Sequence, residues 1–353
     1  MSALASCFGL CLRTVSSHGR TSNGNFVKCV KDSSRIPSSK TSPTHSRGKV
    51  ARLVLLTFSA AWPLLAETLP AVPTHDSKVI KRWQLAGDPH GVAVGSDGTL
   101  YVGLAQPQAV VAIDPKTGAV KRKVVLDSAA IASTKELVTL RIAGSRLFVA
   151  NGSDESATIL SLPGLGILRE ITIEGEPIRD ALPDPRGRYL YLLGRRVHVY
   201  DASGERELHA LDVSDPQAIA ANGKALAVVA AEETVLFDTS TFTETGRTKT
   251  RAGTDVALFA NDALVTLSRN AVCLPEGSGP QIATLAPDNV LLFAERRCDA
   301  SSALAGAGRV TPVSLYGVDA YAVAFDRAAN ALVTTERAGY LTIYKVPRAA
   351  VVH

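Results

Sequence analysis

Seven side chains able to exchange protons, pair charges or hold a polar ligand sit at matched places. His90, Glu136, Arg179, Asp180, Gln217, Asp255 and Tyr321 each lie just before or at the start of a short apolar run. A histidine can act as general base or acid near neutral pH. Glu136 and Asp180 offer carboxylates, and Arg179 a fixed positive charge. These four, His90, Glu136, Arg179 and Asp180, are the catalytic candidates. Acid–base catalysis also needs a second titrating partner within reach. His198 and His209 fall in later runs of their units, away from the strand starts, so His90 stands alone. No GxSxG, HExxH, P-loop or EF-hand loop occurs, and "GAGRV" (306–310) is followed by no helical pattern, so it reads as a turn. No metal or cofactor is expected. The pattern instead suits a polar ligand site formed by His90, Arg179, Asp180, Gln217, Asp255 and Tyr321.

What must position these residues is a repeat. "AVVAIDPKTGAVKRKVVL" (109–126) returns as "ATILSLPGLGILREITI" (157–173), "RVHVYDASGERELHALDV" (196–213) and "ETVLFDTSTFTETGRTKT" (233–250). Asp114, Ser161, Asp201, Asp238, Cys273 and Lys345 close corresponding apolar runs, at steps of 47, 40, 37, 35 and 72 residues. The last step is two units of about 36, so a degenerate unit belongs near Arg309. Residues 79–353 then divide into seven units of about 39. Each reads as four short strands separated by Gly-, Asp- and Pro-rich turns, as "HGVAV", "TLYVGL", "AVVAI" and "AVKRKVVL" do in the first. Units that each leave an apolar face uncovered stack to bury it. The expected fold is all-β: a seven-bladed β-propeller of four-stranded antiparallel blades. "VIKRWQL" (79–85) is left over before the first unit, and the last unit lacks an outer strand. Pairing the two, with Trp83 near "YLTIYKV" (340–346), would close the ring through its N- and C-terminal strands. The seven candidate side chains would then face one central funnel, although funnel ends are wet and polar in any such ring.

Charge is distributed unevenly. The chain has 38 Lys+Arg and 33 Asp+Glu, but residues 1–66 hold nine of the former and one of the latter, leaving 67–353 at about −3. Nucleic acid is therefore not an expected partner, since a phosphate-binding face needs a basic excess. "RGKVAR" (47–52) precedes the 14-residue apolar stretch "LVLLTFSAAWPLLA" (53–66), too short and too broken by Pro63 to span a bilayer as a helix. It has the form of a secretory signal, read over 46–66 with cleavage after Ala66. An uncleaved anchor or a buried strand is the alternative. Residues 1–45 read as a disordered leader, a transit segment or an extension upstream of the true start. Residues 67–78 read as a tether. A periplasmic or secreted monomer with no membrane span after cleavage follows. Cys273 and Cys298 would then sit where a disulfide can form, or remain separate buried thiols.

The quoted units resemble the YVTN-type and NHL-type (lactonase-like) propellers. "LFVANGSDESATILSL" (147–162) is similar to that family's core motif, and "GDPHGVAVGSDGTLYVG" (87–103) to its blade opening. The resemblance covers about 79–353 and weakens over 288–316. It implies a blade skeleton more than a chemistry. Metal-dependent lactonases of this kind use converging Glu, Asn and Asp ligands, which would cast Glu136, Asn151 and Asp180 in those roles. Lyases of similar blade opening use several histidines, where this chain has only His90. The sequence thus favours a binding or scaffold protein for a partner protein or small polar ligand, more than an enzyme. The alternative is a funnel-site lactonase, hydrolase or lyase.

Overall fold

Alternation decides which face of each strand is buried, and in the inner strands both faces are. In the first sheet Leu100–Ala105 and Gln108–Ile113 are buried along their whole length. Val111 and Ile113 pack with Val333, Leu341 and Ile343 of the last sheet. The intervening Val110 and Ala112 pack with Val138, Leu140 and Val149 of the second. Period-2 side chains thus feed two cores at once, which is why these strands read as continuous apolar runs. The same partition recurs between the second and third sheets and between the third and fourth.

The structure is a computed structural model. It describes residues 67–72, 74, 78–127, 138–152, 154–249 and 320–346, together with the backbone of six strands between 253 and 316. Among the described residues the strands form seven sheets, five of four strands and two of three. The first holds Pro89–Val94, Leu100–Ala105, Gln108–Ile113 and Val120–Asp127 in antiparallel order. The second runs from Val138–Ala143 to Gly166–Thr172, the third from Asp180–Pro183 to Glu207–Leu211, and the fourth from Ala218–Ala221 to Glu244–Lys249. The opening strand of each sheet adjoins that of the next, and Ala320–Asp326 of the last adjoins Pro89–Val94 of the first.

Val79–Gln84 is the outer strand of the last sheet. It pairs antiparallel with Tyr340–Lys345, with Trp83 opposite Leu341 and Val79 opposite Tyr344. Trp83 is 3% exposed and joins the core between the first and last sheets. Its indole packs so closely on Gly118 that a Cβ there would overlap it, and Gly118 has φ +73°. Arg82 fastens the pairing. Its Nε donates to Thr342 Oγ1 at 3.1 Å, and its Nη2 lies 3.2 Å from Tyr344 Oη and 3.6 Å from Glu336 Oε1.

The segment expected to be a tether is hydrogen-bonded on both sides. Leu69 N–H donates to Gly118 O at 3.0 Å, Val120 N–H to Glu67 O at 2.7 Å, and Gln84 N–H to Pro70 O at 3.0 Å. Leu69 is buried in the same core as Trp83.

The turn positions follow the repeat. Asp114 Oδ1 accepts from Lys116 N–H at 2.8 Å and Thr117 N–H at 3.1 Å. Asp238 Oδ1 accepts from Ser240 N–H at 2.8 Å and Thr241 N–H at 3.0 Å, and Asp201 Oδ1 from Glu205 N–H at 2.9 Å. Each carboxylate caps its own turn. The Ser240 hydroxyl and these amides hold the Asp238 carboxyl down at about 2.

Among the described residues the fifth and sixth sheets have three strands each. Gly253–Leu258 and Leu264–Ser268 are followed in the fifth by Leu304–Ala305. The sixth holds Gln281–Ala286, Val290–Glu295 and Thr311–Tyr316, the last two parallel. Cys273, Cys298, Arg309 and residues 1–66 lie outside the described residues.

Candidate functional site

Gly87 and Asp88 both take positive φ, 93° and 55°, and this turn delivers His90 into the opening strand of the first sheet. The ring is wholly buried. Its Nδ1 accepts the Val138 backbone N–H at 3.2 Å, leaving Nε2 to donate to Asp88 Oδ2 at 3.2 Å. The hydrogen-bond network therefore assigns the Nε2–H tautomer. Tyr321 lies against the imidazole, ring centroids 4.4 Å apart, and the Arg337 guanidinium covers the tyrosine ring at 4.6 Å. The Thr335 hydroxyl donates to His90 O. Burial lowers the His90 pKa below its ordinary value, Asp88 opposes this, and Arg337 adds to the lowering.

Asp180 opens the third sheet and is 6% exposed. Arg141 of the second sheet grips it with two hydrogen bonds, Nε to Oδ1 at 3.3 Å and Nη2 to Oδ2 at 2.9 Å. Oδ1 also accepts the Ala181 N–H at 2.9 Å. Arg179 Nη2 donates to Gly194 O at 2.7 Å and to Pro216 O, while Arg179 O accepts the Thr139 hydroxyl at 3.2 Å. Gln217 is half-buried and its Nε2 donates to Asp215 O at 3.2 Å.

These contacts share a direction. Thr335 reaches from the last sheet to the first, and His90 receives a bond from the second. Arg141 and Thr139 reach from the second to the third, and Arg179 from the third toward the fourth. Polar groups at the strand starts join neighbouring sheets. The structure brings His90 and Tyr321 into contact with each other, and Asp180 and Arg179 each to a neighbouring sheet. Asp255 is placed only by its backbone, opposite Leu267. Glu136 lies outside the described residues, and Asn151 ends the strand Arg146–Asn151 with its side chain outside them. Among the described residues no group of three His, Cys, Asp or Glu side chains could hold a metal ion.

Two further polar clusters carried no signal at a strand start. His198, on the third strand of its sheet, lies between two carboxylates, Nδ1 2.8 Å from Glu207 Oε1 and Nε2 3.2 Å from Glu176 Oε1. Burial opposes ionisation of Glu176, yet the Arg196 N–H and His198 hold its pKa below the usual value. Arg188 reaches Asp184 at 2.9 Å, Gly223 O at 2.7 Å and Thr239 Oγ1 at 2.8 Å, tying the third sheet to the fourth. Asp184 and Arg188 share one turn, but Gly223 and Thr239 belong to the next sheet and Glu176 and Glu207 flank His198 from other segments, so neither cluster is visible as a sequence pattern.

No family model matches the chain, and no curated protein matches it. Solved structures do. The chain is similar to Kuenenia stuttgartiensis hydrazine synthase, with TM-score 0.55 and 14% identity, over 74% of this chain and 96% of that one. It is also similar to a chain of a mitotic checkpoint complex, with TM-score 0.48 and 15% identity, over 78% of this chain and 79% of that one. At such identity the likeness to the first concerns the fold alone. With sheets of four antiparallel strands set side by side, the architecture is all-β and of β-propeller type.

Proposed function

We propose that the chain is an exported, seven-bladed β-propeller of YVTN/NHL type, closed by its N- and C-terminal strands, that works as a binding or scaffold protein. The cyclic adjacency of opening strands and the pairing of Val79–Gln84 with Tyr340–Lys345 support the ring. The basic run and apolar stretch before Glu67 support export to the periplasm or beyond. One observation carries the functional reading. The strand-start side chains His90, Arg179 and Asp180, with Arg141 of the second sheet gripping Asp180, are engaged between sheets, so the rim they form is rigid. His90 in particular has both ring nitrogens in hydrogen bonds. A rigid polar rim recognises a partner protein or a small polar ligand without an activated base.

The test is turnover. Purified 67–353 is offered a panel of lactones with and without added divalent cations, beside Asp180→Ala. No hydrolysis above the blank is expected from either protein. Metal-dependent turnover that Asp180→Ala abolishes would replace the binding reading with a lactonase one.

A further inference from the structure

Away from the strand starts, a cleft of about 110 Å³ opens between the first and second sheets. Gln108, Leu126, Val149, Asp154, Ile167 and Glu170 are among the residues that line it. Gln108 is 4% exposed, and its Nε2 is buried without a hydrogen-bond partner among the described residues. A buried amide N–H left unpaired is costly, so the cleft calls for an acceptor at that point. The Asp154 carboxylate is held in place by the Glu155 N–H at 2.7 Å and the Ser156 hydroxyl at 3.2 Å. Glu170 is exposed at the rim. Among the described residues no basic side chain lines the cleft. An occupant must therefore bring a positive charge to the carboxylates and, beside it, an acceptor for Gln108.

The cleft continues onto a sheet edge. Gly166–Thr172 is the outer strand of the second sheet, and on it Ile167 and Leu168 are 57% and 53% exposed. Val125, on the outer strand of the first sheet, is 45% exposed. The corresponding strand of the fourth sheet, "ETGRTK", shows only polar residues and glycine. Charges on an edge discourage strand addition. Gly166–Thr172 carries Glu170 and Arg169, the latter paired with Glu205, but its exposed Ile167 and Leu168 leave an apolar stretch that a strand can join.

We propose that this cleft and edge together capture the free N-terminus of an extended peptide. Its ammonium faces Glu170 and Asp154, its first carbonyl accepts from Gln108 Nε2, and its next residues lie along Gly166–Thr172 against Ile167 and Leu168. The site is separate from the strand-start rim and does not depend on its role.

The probe is a hexapeptide of alternating valine and threonine, preceded by alanine and labelled at its C-terminus, with binding followed by fluorescence anisotropy. Acetylating the N-terminus is expected to weaken binding at least about tenfold, as loss of a charge-assisted contact should. Glu170→Gln, at an exposed position that leaves folding intact, and Gln108→Met should each weaken the free-ended peptide several-fold and leave the acetylated one unchanged. Alaninamide, which has the ammonium and carbonyl but no further chain, should compete only weakly. Equal binding of acetylated and free peptide, or insensitivity to Glu170→Gln, would overturn the proposal. Alaninamide binding as tightly as the peptide would overturn the part played by the edge.

Discussion

The Val138 backbone N–H of the second sheet donates to the His90 Nδ1 of the first at 3.2 Å, so a histidine serves as the hydrogen-bond acceptor between two sheets. Only the neutral ring can do this. Protonating Nδ1 would remove the acceptor and leave a charge beside Arg337.

Stability should therefore fall on mild acidification. Burial sets the folded His90 pKa below its ordinary value of 6.5, with Asp88 opposing and Arg337 assisting. The unfolded chain then binds the proton first. The stabilisation is full above the unfolded value and is lost as pH falls through the folded one. Urea unfolding of wild type and His90→Gln between pH 8 and pH 5 checks this. The variant, whose amide can keep both hydrogen bonds, should lose this part of the pH dependence while being about 1–2 kcal/mol less stable at pH 8 from lost packing. An unchanged slope would show that His90 is not the titrating group.

Arg82 should hold the N-terminal strand to the last sheet. Glu336 is 8% exposed and accepts from Tyr344 Oη at 2.9 Å, with Arg82 as its cationic partner. Arg82→Met should lower stability by about 1–3 kcal/mol, since it removes the cationic partner of a nearly buried carboxylate and two hydrogen bonds to Thr342 and Tyr344. Combining it with Glu336→Gln should recover part of that loss, and denaturant melts of the double-mutant cycle give the coupling.

Truncation should separate two short segments that both matter. Removing everything before Lys78 discards the buried Leu69 and the hydrogen bonds of Glu67–Val72, so it should destabilise. Leu69→Ala alone should remove about 2–4 kcal/mol. Removing Val79–Gln84 as well exposes the Tyr340–Lys345 edge and should cause aggregation. Thermal melts and light scattering on the two truncations distinguish the effects. If both melted like the longer chain, the ends would contribute nothing.

Arg141 should be needed for folding more than for any ligand. Asp180 is buried and Arg141, with 38% of its side chain exposed, is its cationic partner. Arg141→Ala should lower stability by about 2 kcal/mol, short of the figure for a fully buried pair because water reaches one side. Asp180→Asn, which removes the charge that needs a partner, should be milder. The two melting temperatures decide the order.

The repeat was readable because each unit must satisfy the same local chemistry. Asp114, Asp201 and Asp238 stand at the ends of third strands and cap the turns that follow, so their spacing marked out the first, third and fourth sheets. Pairing of Val79–Gln84 with the far end was also readable, from one strand too many at the start and one too few at the finish. The site was legible only as positions. His90, Arg179, Asp180 and Tyr321 stand at strand starts as expected, but their use depends on the neighbouring sheet. Val138 offers His90 a backbone N–H, which no side-chain pattern reports. The role of Arg141 was equally hidden, since it sits on an inner strand 39 residues from Asp180. Leu69 was missed because one buried leucine beside prolines has no period to reveal it.

The place of Leu304–Ala305 has a consequence for how this chain can be divided. Those two residues complete the fifth sheet only after the chain has laid down Gln281–Ala286 and Val290–Glu295 in the sixth. Among the first four sheets one cut between neighbours leaves each with all its strands, and the last sheet draws one strand, Val79–Gln84, from the start of the chain. Between the fifth and sixth no single cut does, so these two sheets form one inheritable segment. Duplicating, deleting or swapping a unit is open to the first four sheets, while residues 253–316 must be exchanged together.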